Sequence, residues 1–139
     1  MFPSSTKFLV VDDFSTMRKV VKKILAELGY TNVVEAVDGK NAYETLLDAS
    51  KTVNPIEVVI SDWQMPNLKG IELLEKCRKS EDFKDIPFML VTAESEKDQI
   101  VQALKLNVSE YVIKPFSPAI LKEKLTAVYN KFHSKKKAA

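Results

Sequence analysis

The residues best suited to do chemistry are polar side chains that directly follow short apolar runs. They are Asp12, Asp13, Asp62, Thr92 and Lys114. If they meet at one place, three carboxylates and one ammonium leave about two negative charges in excess, and like charges that lie close together raise one another's pKa. A divalent cation removes that excess, and Mg²⁺ suits a site made of a few carboxylates and water.

With Mg²⁺ in such a site, one carboxylate can act as a nucleophile toward a phosphoryl group. The ion and Lys114 then stabilise the phosphoryl oxygens, and the Thr92 hydroxyl can donate a hydrogen bond to one of them. Each residue alone has an ordinary explanation, since an Asp after a strand is most often a helix cap or a turn residue and a lone lysine is a solvated charge. Their joint placement after several strands favours a site for phosphoryl chemistry.

The elements that must position these residues alternate between strands and helices. Strands are predicted at 7–11, 32–36, 56–60, 88–91 and 111–113. The first helix has the clearest apolar spacing, with Ser15 as its expected N-cap and Gly29 as its stop. Further helices are expected to open at Asp38-Gly39 and at Gly70, to cover 97–106, and to be lined at the end by Leu121, Leu125, Val128 and Phe132. Five such units predict one α/β domain with a parallel sheet, whose strand carboxyl ends share an edge where ligands bind.

Length and scarce residues exclude several classes of protein. A chain of 139 residues predicts one domain, with 1–6 as an N-terminal tail, 7–133 as the domain and 134–139 as a basic C-terminal tail. Three glycines, one histidine and one cysteine exclude a glycine-rich nucleotide loop, a zinc site built on two histidines and an internal disulfide.

The charge and hydropathy patterns bound the partners and the compartment. The 21 Lys and Arg residues fall to 18 without the lysine run at 135–137, against 19 acidic residues, so no nucleic-acid surface is expected. The chain has no apolar run long enough to span a membrane and no signal peptide, so no membrane association is expected and the protein is predicted to be cytoplasmic.

Four ordered stretches resemble the receiver family of response regulators, and within it most closely the chemotaxis members. They are residues 9–18, 61–66 together with Gly70, 91–94, and 111–116. The resemblance implies a single doubly wound (βα)5 domain of the flavodoxin-like kind with strand order 2-1-3-4-5, an order that periodicity alone does not provide. Within these stretches, Met17, Trp63, Glu94 and Tyr111 favour the chemotaxis members.

The resemblance also implies a role for each site residue. Asp62 is the expected phosphoacceptor. Asp13, Asp62 and the backbone carbonyl of Gln64 are the expected Mg²⁺ ligands, with Asp12 acting through water. Lys114 is expected to contact the phosphoryl group and to precede a cis peptide bond, and Thr92 and Tyr111 are expected to form the switch. The partner face is expected to include Lys97, Ile100, Tyr111 and Lys124.

These roles predict a stand-alone signalling switch, not an enzyme, that a chemotaxis-type histidine kinase phosphorylates on Asp62. The expected output is binding to a flagellar motor switch protein by a monomer, with a phosphatase as a further candidate partner. Two alternatives stay open: a phosphorelay intermediate that uses the same pocket, and, less favoured, an aspartyl-nucleophile phosphatase, which needs a general acid where Gln64 stands.

Three residues depart from the family's usual pattern. The chemotaxis members often have asparagine where this chain has Gln64, so the phosphoryl lifetime is left open. Asn107 and Glu110 stand where the family often has glycine.

Overall fold

A computed structural model describes residues 1–92 and 97–138, and the side chains of 97 and 134–138 lie outside that description. Strands and helices alternate along the chain. The strands are β1 Phe8–Val11, β2 Val33–Ala36, β3 Val58–Asp62, β4 Phe88–Thr92 and β5 Glu110–Ile113. The helices are α1 Ser15–Glu27, α2 Gly39–Ser50, α3 Gly70–Arg78, α4 Lys97–Lys105 and α5 Pro118–Ala138. The predicted α/β class is confirmed, although β3 begins at Val58 and not at Ile56.

All strand pairs are parallel, and the sheet order is β2-β1-β3-β4-β5. Parallel pairing brings the carboxyl ends of all five strands to one edge of the sheet. In the register, Val11 pairs with Ser61, Asp62 with Val91, and Thr92 with Ile113. The polar residues that end β1, β3, β4 and β5 therefore lie along the same edge, as the sequence predicts.

The apolar side chains of the central strands alternate between two cores, one on each face of the sheet. Leu9 and Val11 belong to a cluster with buried residues of α2 and α3, whereas Phe8 and Val10 belong to a cluster with buried residues of α1 and α5. Successive side chains of a strand point to opposite faces, so a strand that is apolar throughout needs cover on both sides. This explains why β1 and β4 are buried at every position.

The start of α1 differs from the prediction. Ser15 is the first helical residue, not the cap, and the cap position belongs to Phe14 in an extended conformation. The reason is that the Asp12 carboxylate accepts a hydrogen bond from the Phe14 N–H at 3.0 Å, so the residue directly after β1 satisfies this backbone group. Gly29 has φ of 97° and ends the helix region as predicted.

The residues predicted as an N-terminal tail pack onto the domain. Phe2 is buried, and its ring meets the edges of Phe8 and Tyr129 at centroid distances of 6.2 and 5.1 Å. The Tyr30 hydroxyl donates to the Phe2 carbonyl at 2.8 Å. At the other end, α5 continues through Ala138, so the boundary at 133 stays a prediction. Among the described helices, none is long and apolar enough to cross a membrane.

Candidate functional site

Three carboxylates converge at the edge where the strands end. One oxygen from each of Asp12, Asp13 and Asp62 lies within 4.8 Å of the others. Asp12 and Asp62 are buried, with 5% and 9% of their surface exposed, whereas Asp13 is open to solvent. The sequence predicts this meeting, since Asp12 and Asp13 follow β1 and Asp62 ends the neighbouring β3.

Lys114 provides positive charge beside the two buried carboxylates. Its Nζ lies 3.3 Å from Asp62 Oδ1 and 3.6 Å from Asp12 Oδ2, and its side chain is 21% exposed. The peptide bond to Pro115 is cis, as the resemblance implies. The Lys114 N–H donates to the Thr92 carbonyl at 2.7 Å, so the backbone after β5 is tied to the end of β4.

The electrostatics of Asp62 follow from this arrangement. Burial raises the pKa of the Asp62 carboxyl above its usual range, and the neighbouring Asp12 charge raises it further, while Lys114 and the Trp63 N–H lower it. The positive charge of Lys114 does not offset burial and the second carboxylate. The ionised form of Asp62 is therefore destabilised in the protein alone, and a further cation at this place would stabilise it.

Backbone N–H groups hold the two buried carboxylates, and one arginine holds the backbone of Asp12. The Trp63 N–H donates to Asp62 Oδ1 at 2.9 Å. Arg18 donates to the backbone carbonyl of Asp12 at 2.8 Å and pairs with Glu35 of β2 at 3.0 Å. Arg18 is not among the predicted site residues, and only its position one turn into α1 could have suggested this role.

The donor set fits Mg²⁺. Hard carboxylate oxygens from three residues share one small space, and about two of their negative charges stay uncompensated after Lys114 is counted. Calcium sites require more protein oxygens than the three that meet here. Asp12, Asp13 and Asp62 are thus the residues that would hold the ion.

Gly70 allows the chain to turn closely behind the site. A Cβ on Gly70 would clash with the backbone carbonyl oxygen of Asp62. The Gly70 N–H donates to the Trp63 carbonyl at 2.9 Å, which closes the loop at residues 63–69. Gln64 lies on that loop with its side chain exposed, whereas Trp63 is buried at 6% exposure.

A hydrogen bond between Asn67 and Asp38 holds the same loop, and the sequence does not predict this pairing. Asn67 has φ of 66°, and its side-chain amide donates to Asp38 Oδ2 at 2.6 Å. Asp38 was predicted only to open a helix, which it does by capping α2. A loop asparagine suited to positive φ is a recognisable signal, but its partner 29 residues away is not.

The two predicted switch residues lie on adjacent strands. Thr92 is buried at the end of β4, one residue beyond Val91, the partner of Asp62 in the sheet. Tyr111 pairs with Leu90 across β4 and β5 and is half-buried. Thr92 therefore lies on the strand next to that of Asp62, and Tyr111 lies on the outermost strand beyond it.

The structure brings together part of the predicted partner face. The Lys124 Nζ lies 5.4 Å from the centre of the Tyr111 ring and 3.6 Å from Glu110 Oε1. Ile100 is half-buried on α4. The side chain of Lys97, and Glu94 altogether, lie outside the described residues.

The chain is similar to known proteins over most of its length. Residues 8–126 match the family described as response regulator receiver domain. The chain is 46% identical over 122 residues to chemotaxis protein CheY1 of Helicobacter pylori, across 88% of this chain and 95% of that protein. It is 42% identical over 125 residues to chemotaxis protein CheY of Pseudomonas aeruginosa, across 90% and 97%. Among solved structures, chemotaxis protein CheY4 of Vibrio cholerae is similar with a TM-score of 0.76 and 31% identity, across 88% of this chain and 98% of that one.

Proposed function

The chain belongs to the response regulator receiver family and is of the chemotaxis type, and from this premise we propose that Asp62 accepts a phosphoryl group from a histidine kinase in a Mg²⁺-dependent reaction. The observation that carries the proposal is the convergence of Asp12, Asp13 and Asp62 beside Lys114. The product is a signalling state of the protein.

In this proposal Asp13, Asp62 and the Gln64 carbonyl bind Mg²⁺ directly, and Asp12 binds it through water. When bound, the ion supplies positive charge that offsets the carboxylates and the oxygens of the transferred phosphoryl group. The buried position of Asp62 and its raised pKa support this assignment, because a group that lacks compensating charge gains most from a cation.

The chain's own residues perform the transfer. An oxygen of Asp62 attacks the phosphorus, the bond from phosphorus to the donor's leaving atom breaks, and the leaving group departs with the electron pair. Lys114 binds a phosphoryl oxygen, and the Thr92 hydroxyl donates a hydrogen bond to another. The Trp63 N–H holds Asp62 in place, since it donates to Oδ1 at 2.9 Å.

A small acyl-phosphate donor tests the proposal. The parent protein, incubated with the donor and Mg²⁺, should gain one phosphoryl group by intact mass spectrometry, and omission of Mg²⁺ should abolish the gain. Asp62→Asn should gain none, whereas Asp98→Asn, a matched change at an exposed aspartate of α4, should behave as the parent does. Equal labelling of Asp62→Asn and the parent would show that the nucleophile is misassigned.

We propose that the output is binding to a flagellar motor switch protein through the face formed by α4, β5 and α5. The names of the chemotaxis relatives support the pathway. Phosphorylation acts at Asp62, and a switch needs an element with two arrangements that the event biases. Thr92 ends β4, which lies between β3 with Asp62 and β5 of this face, and Tyr111 lies on β5 itself. The proposed contacts for an acidic amphipathic segment are apolar, aromatic and cationic: Ile100, Tyr111, Lys97 and Lys124.

Charge reversal tests the output face. Lys124→Glu combined with Lys97→Glu should abolish phosphorylation-dependent capture of the motor switch protein while Asp62 is labelled normally. Lys122→Glu is the matched control, because Lys122 is an exposed lysine on the same helix. Capture that survives the double change would place the output on another face.

Gln64 is proposed to tune the phosphoryl lifetime without setting metal affinity, because the proposed ligand is its backbone carbonyl and its side chain is exposed. Gln64→Asn should change the dephosphorylation rate and leave the Mg²⁺ titration nearly unchanged. A collapse of metal affinity with an unchanged rate would reverse the two roles. The cytoplasmic location, the monomeric state and an additional phosphatase partner stay predictions.

A further inference from the structure

The loop at residues 63–69 follows Asp62 directly and carries Gln64, so its position matters to the site. Its ends are fixed by backbone hydrogen bonds, from Trp63 N–H to the Val91 carbonyl and from Gly70 N–H to the Trp63 carbonyl, each at 2.9 Å. The middle of the loop is held differently. In the described part of the chain, the hydrogen bonds that join residues 66–68 to another element go to the N-terminus of α2.

That attachment has two parts. The Gly39 N–H donates to the Leu68 carbonyl at 3.1 Å, and a Cβ on Gly39 would clash with the same oxygen, so the loop lies directly against the start of α2. The Asn67 side-chain amide donates to Asp38 Oδ2 at 2.6 Å. A hydrogen bond to an ionised acceptor is about twice as strong as one between neutral groups.

Asp38 is well suited to this task because its two oxygens have separate partners. Oδ1 accepts from the Asn41 N–H at 2.7 Å and caps α2, while Oδ2 accepts from Asn67. Asp38 is only 8% exposed, and the hydrogen bonds from Asn41 and Asn67 hold its pKa below the usual range. The carboxylate therefore stays ionised and fixed relative to a helix, which gives the loop a rigid anchor.

We propose that Asp38 and Asn67 are positioning residues: their hydrogen bond holds the loop at residues 63–69, and with it Gln64, in the place that completes the acidic site. The bond joins the turn after β2 to the loop after β3, and these two strands do not pair with each other because β1 lies between them. The part of this proposal that concerns metal affinity rests on the proposed function, whereas the part that concerns the loop does not.

A simpler explanation of Asn67 is that it serves only the turn, since asparagine tolerates its φ of 66°. Asn67→Gly separates the two roles, because glycine adopts the same φ freely but has no side chain to reach Asp38. Asn107→Gly is the matched control. Asn107 is also exposed with a positive φ of 57°. It precedes β5, which is the outermost strand on the side of the sheet away from β2.

The first measurement is amide hydrogen exchange without metal or phosphoryl donor. The Gly39 N–H reports directly on the contact with Leu68, and Asn67→Gly should speed its exchange about tenfold through local opening. Asn107→Gly should leave it unchanged.

The second measurement is calorimetric titration with Mg²⁺ alone, in which Asn67→Gly should weaken affinity about tenfold, as is typical when a group that orients metal ligands is lost.

A reciprocal exchange tests the bond itself. Asn67→Asp faces Asp38 with a second carboxylate and should loosen the loop more than Asn67→Gly does. Adding Asp38→Asn reverses donor and acceptor, keeps a good cap for α2, and should restore both the Gly39 exchange rate and the Mg²⁺ affinity.

The outcomes are distinct. If Gly39 exchange is unchanged in Asn67→Gly, or is not restored by the reciprocal pair, the Asp38–Asn67 hydrogen bond does not hold the loop. Faster exchange with an unchanged Mg²⁺ affinity overturns its positioning role, because the loop would then move without consequence at the site. If the parent protein itself does not bind Mg²⁺, the proposed function fails. The exchange data still decide whether the Asp38–Asn67 hydrogen bond holds the loop.

Discussion

Replacing Lys114 with methionine removes the ammonium that faces the two buried carboxylates. Methionine retains most of the aliphatic stem, so the change removes charge more than packing. Asp12 and Asp62 then stay buried without their cation. We expect the free energy of unfolding at neutral pH to fall by about 3 kcal/mol in the absence of Mg²⁺.

The distances set this magnitude. The Lys114 Nζ lies 3.3 Å from Asp62 Oδ1 and 3.6 Å from Asp12 Oδ2. At these separations and an effective dielectric constant of about 20, each attraction amounts to roughly 5 kcal/mol before desolvation is subtracted. Removing one partner of a buried ion pair usually lowers the free energy of unfolding by about 3–5 kcal/mol. The lower end applies because the Lys114 side chain is 21% exposed and is partly hydrated when it pairs.

The loss should depend on pH with a definite sign. Burial raises the pKa of Asp62 in the folded protein, and Lys114 opposes that rise, so Lys114→Met raises the pKa further. A carboxyl with a raised pKa destabilises the fold only when it is ionised, and this cost is absent below the pKa of the unfolded chain, about 3.9. The stability difference between parent and variant should therefore be full at neutral pH and shrink as acid protonates Asp62.

Urea denaturation followed by Trp63 fluorescence, between about pH 4 and pH 8, measures this difference, with Lys122→Met as the control at an exposed lysine. Saturating Mg²⁺ should restore more stability to Lys114→Met than it adds to the parent, because the ion replaces the missing charge. If Lys114→Met costs no more than Lys122→Met, or the loss does not change with pH, the electrostatic account of the site is wrong.

Three further predictions follow from single contacts. Gly70→Ala should lower the free energy of unfolding, measured by urea denaturation, by about 2 kcal/mol or more, because the new Cβ must displace the Asp62 carbonyl. The same displacement should weaken Mg²⁺ binding, measured by Mg²⁺ titration. Asp38→Ala should cost about 1 kcal/mol by urea denaturation at neutral pH. The difference should begin to shrink as the pH falls below the unfolded pKa of about 4, and it should be smallest below the lowered pKa of Asp38 in the folded protein. Phe2→Ala should cost about 2 kcal/mol by thermal or urea unfolding, less than in a central core because the Phe2–Tyr129 contact lies at the chain terminus, and a cost near zero would show that the first residues do not pack.

Most of the site could be predicted from the sequence because its residues end strands. A parallel sheet brings all strand carboxyl ends to one edge, so Asp12, Asp13, Asp62 and Lys114 converge whatever the details of the helices. What could not be predicted is how each group is held. Arg18 reaches the Asp12 carbonyl from α1, and Asn67 reaches Asp38 across 29 residues, and neither contact leaves a local pattern.

Local interactions account for what the sequence alone determined. The apolar spacing predicts the five units, since strand and helix periods are properties of neighbouring residues. Gly29 ends the α1 region because only a residue free to adopt a φ of 97° can do so without strain. Strand order came from family resemblance, because periodicity carries no information about which strands pair.

The tertiary structure decided everything that depends on distant groups. Phe2 falls in the predicted N-terminal tail, yet it is buried, and α5 brings Tyr129 beside it. The raised pKa of Asp62 likewise arises from burial between elements that are far apart in sequence. Charge, burial and partners are properties of the assembled sheet edge, and only the fold brings them together.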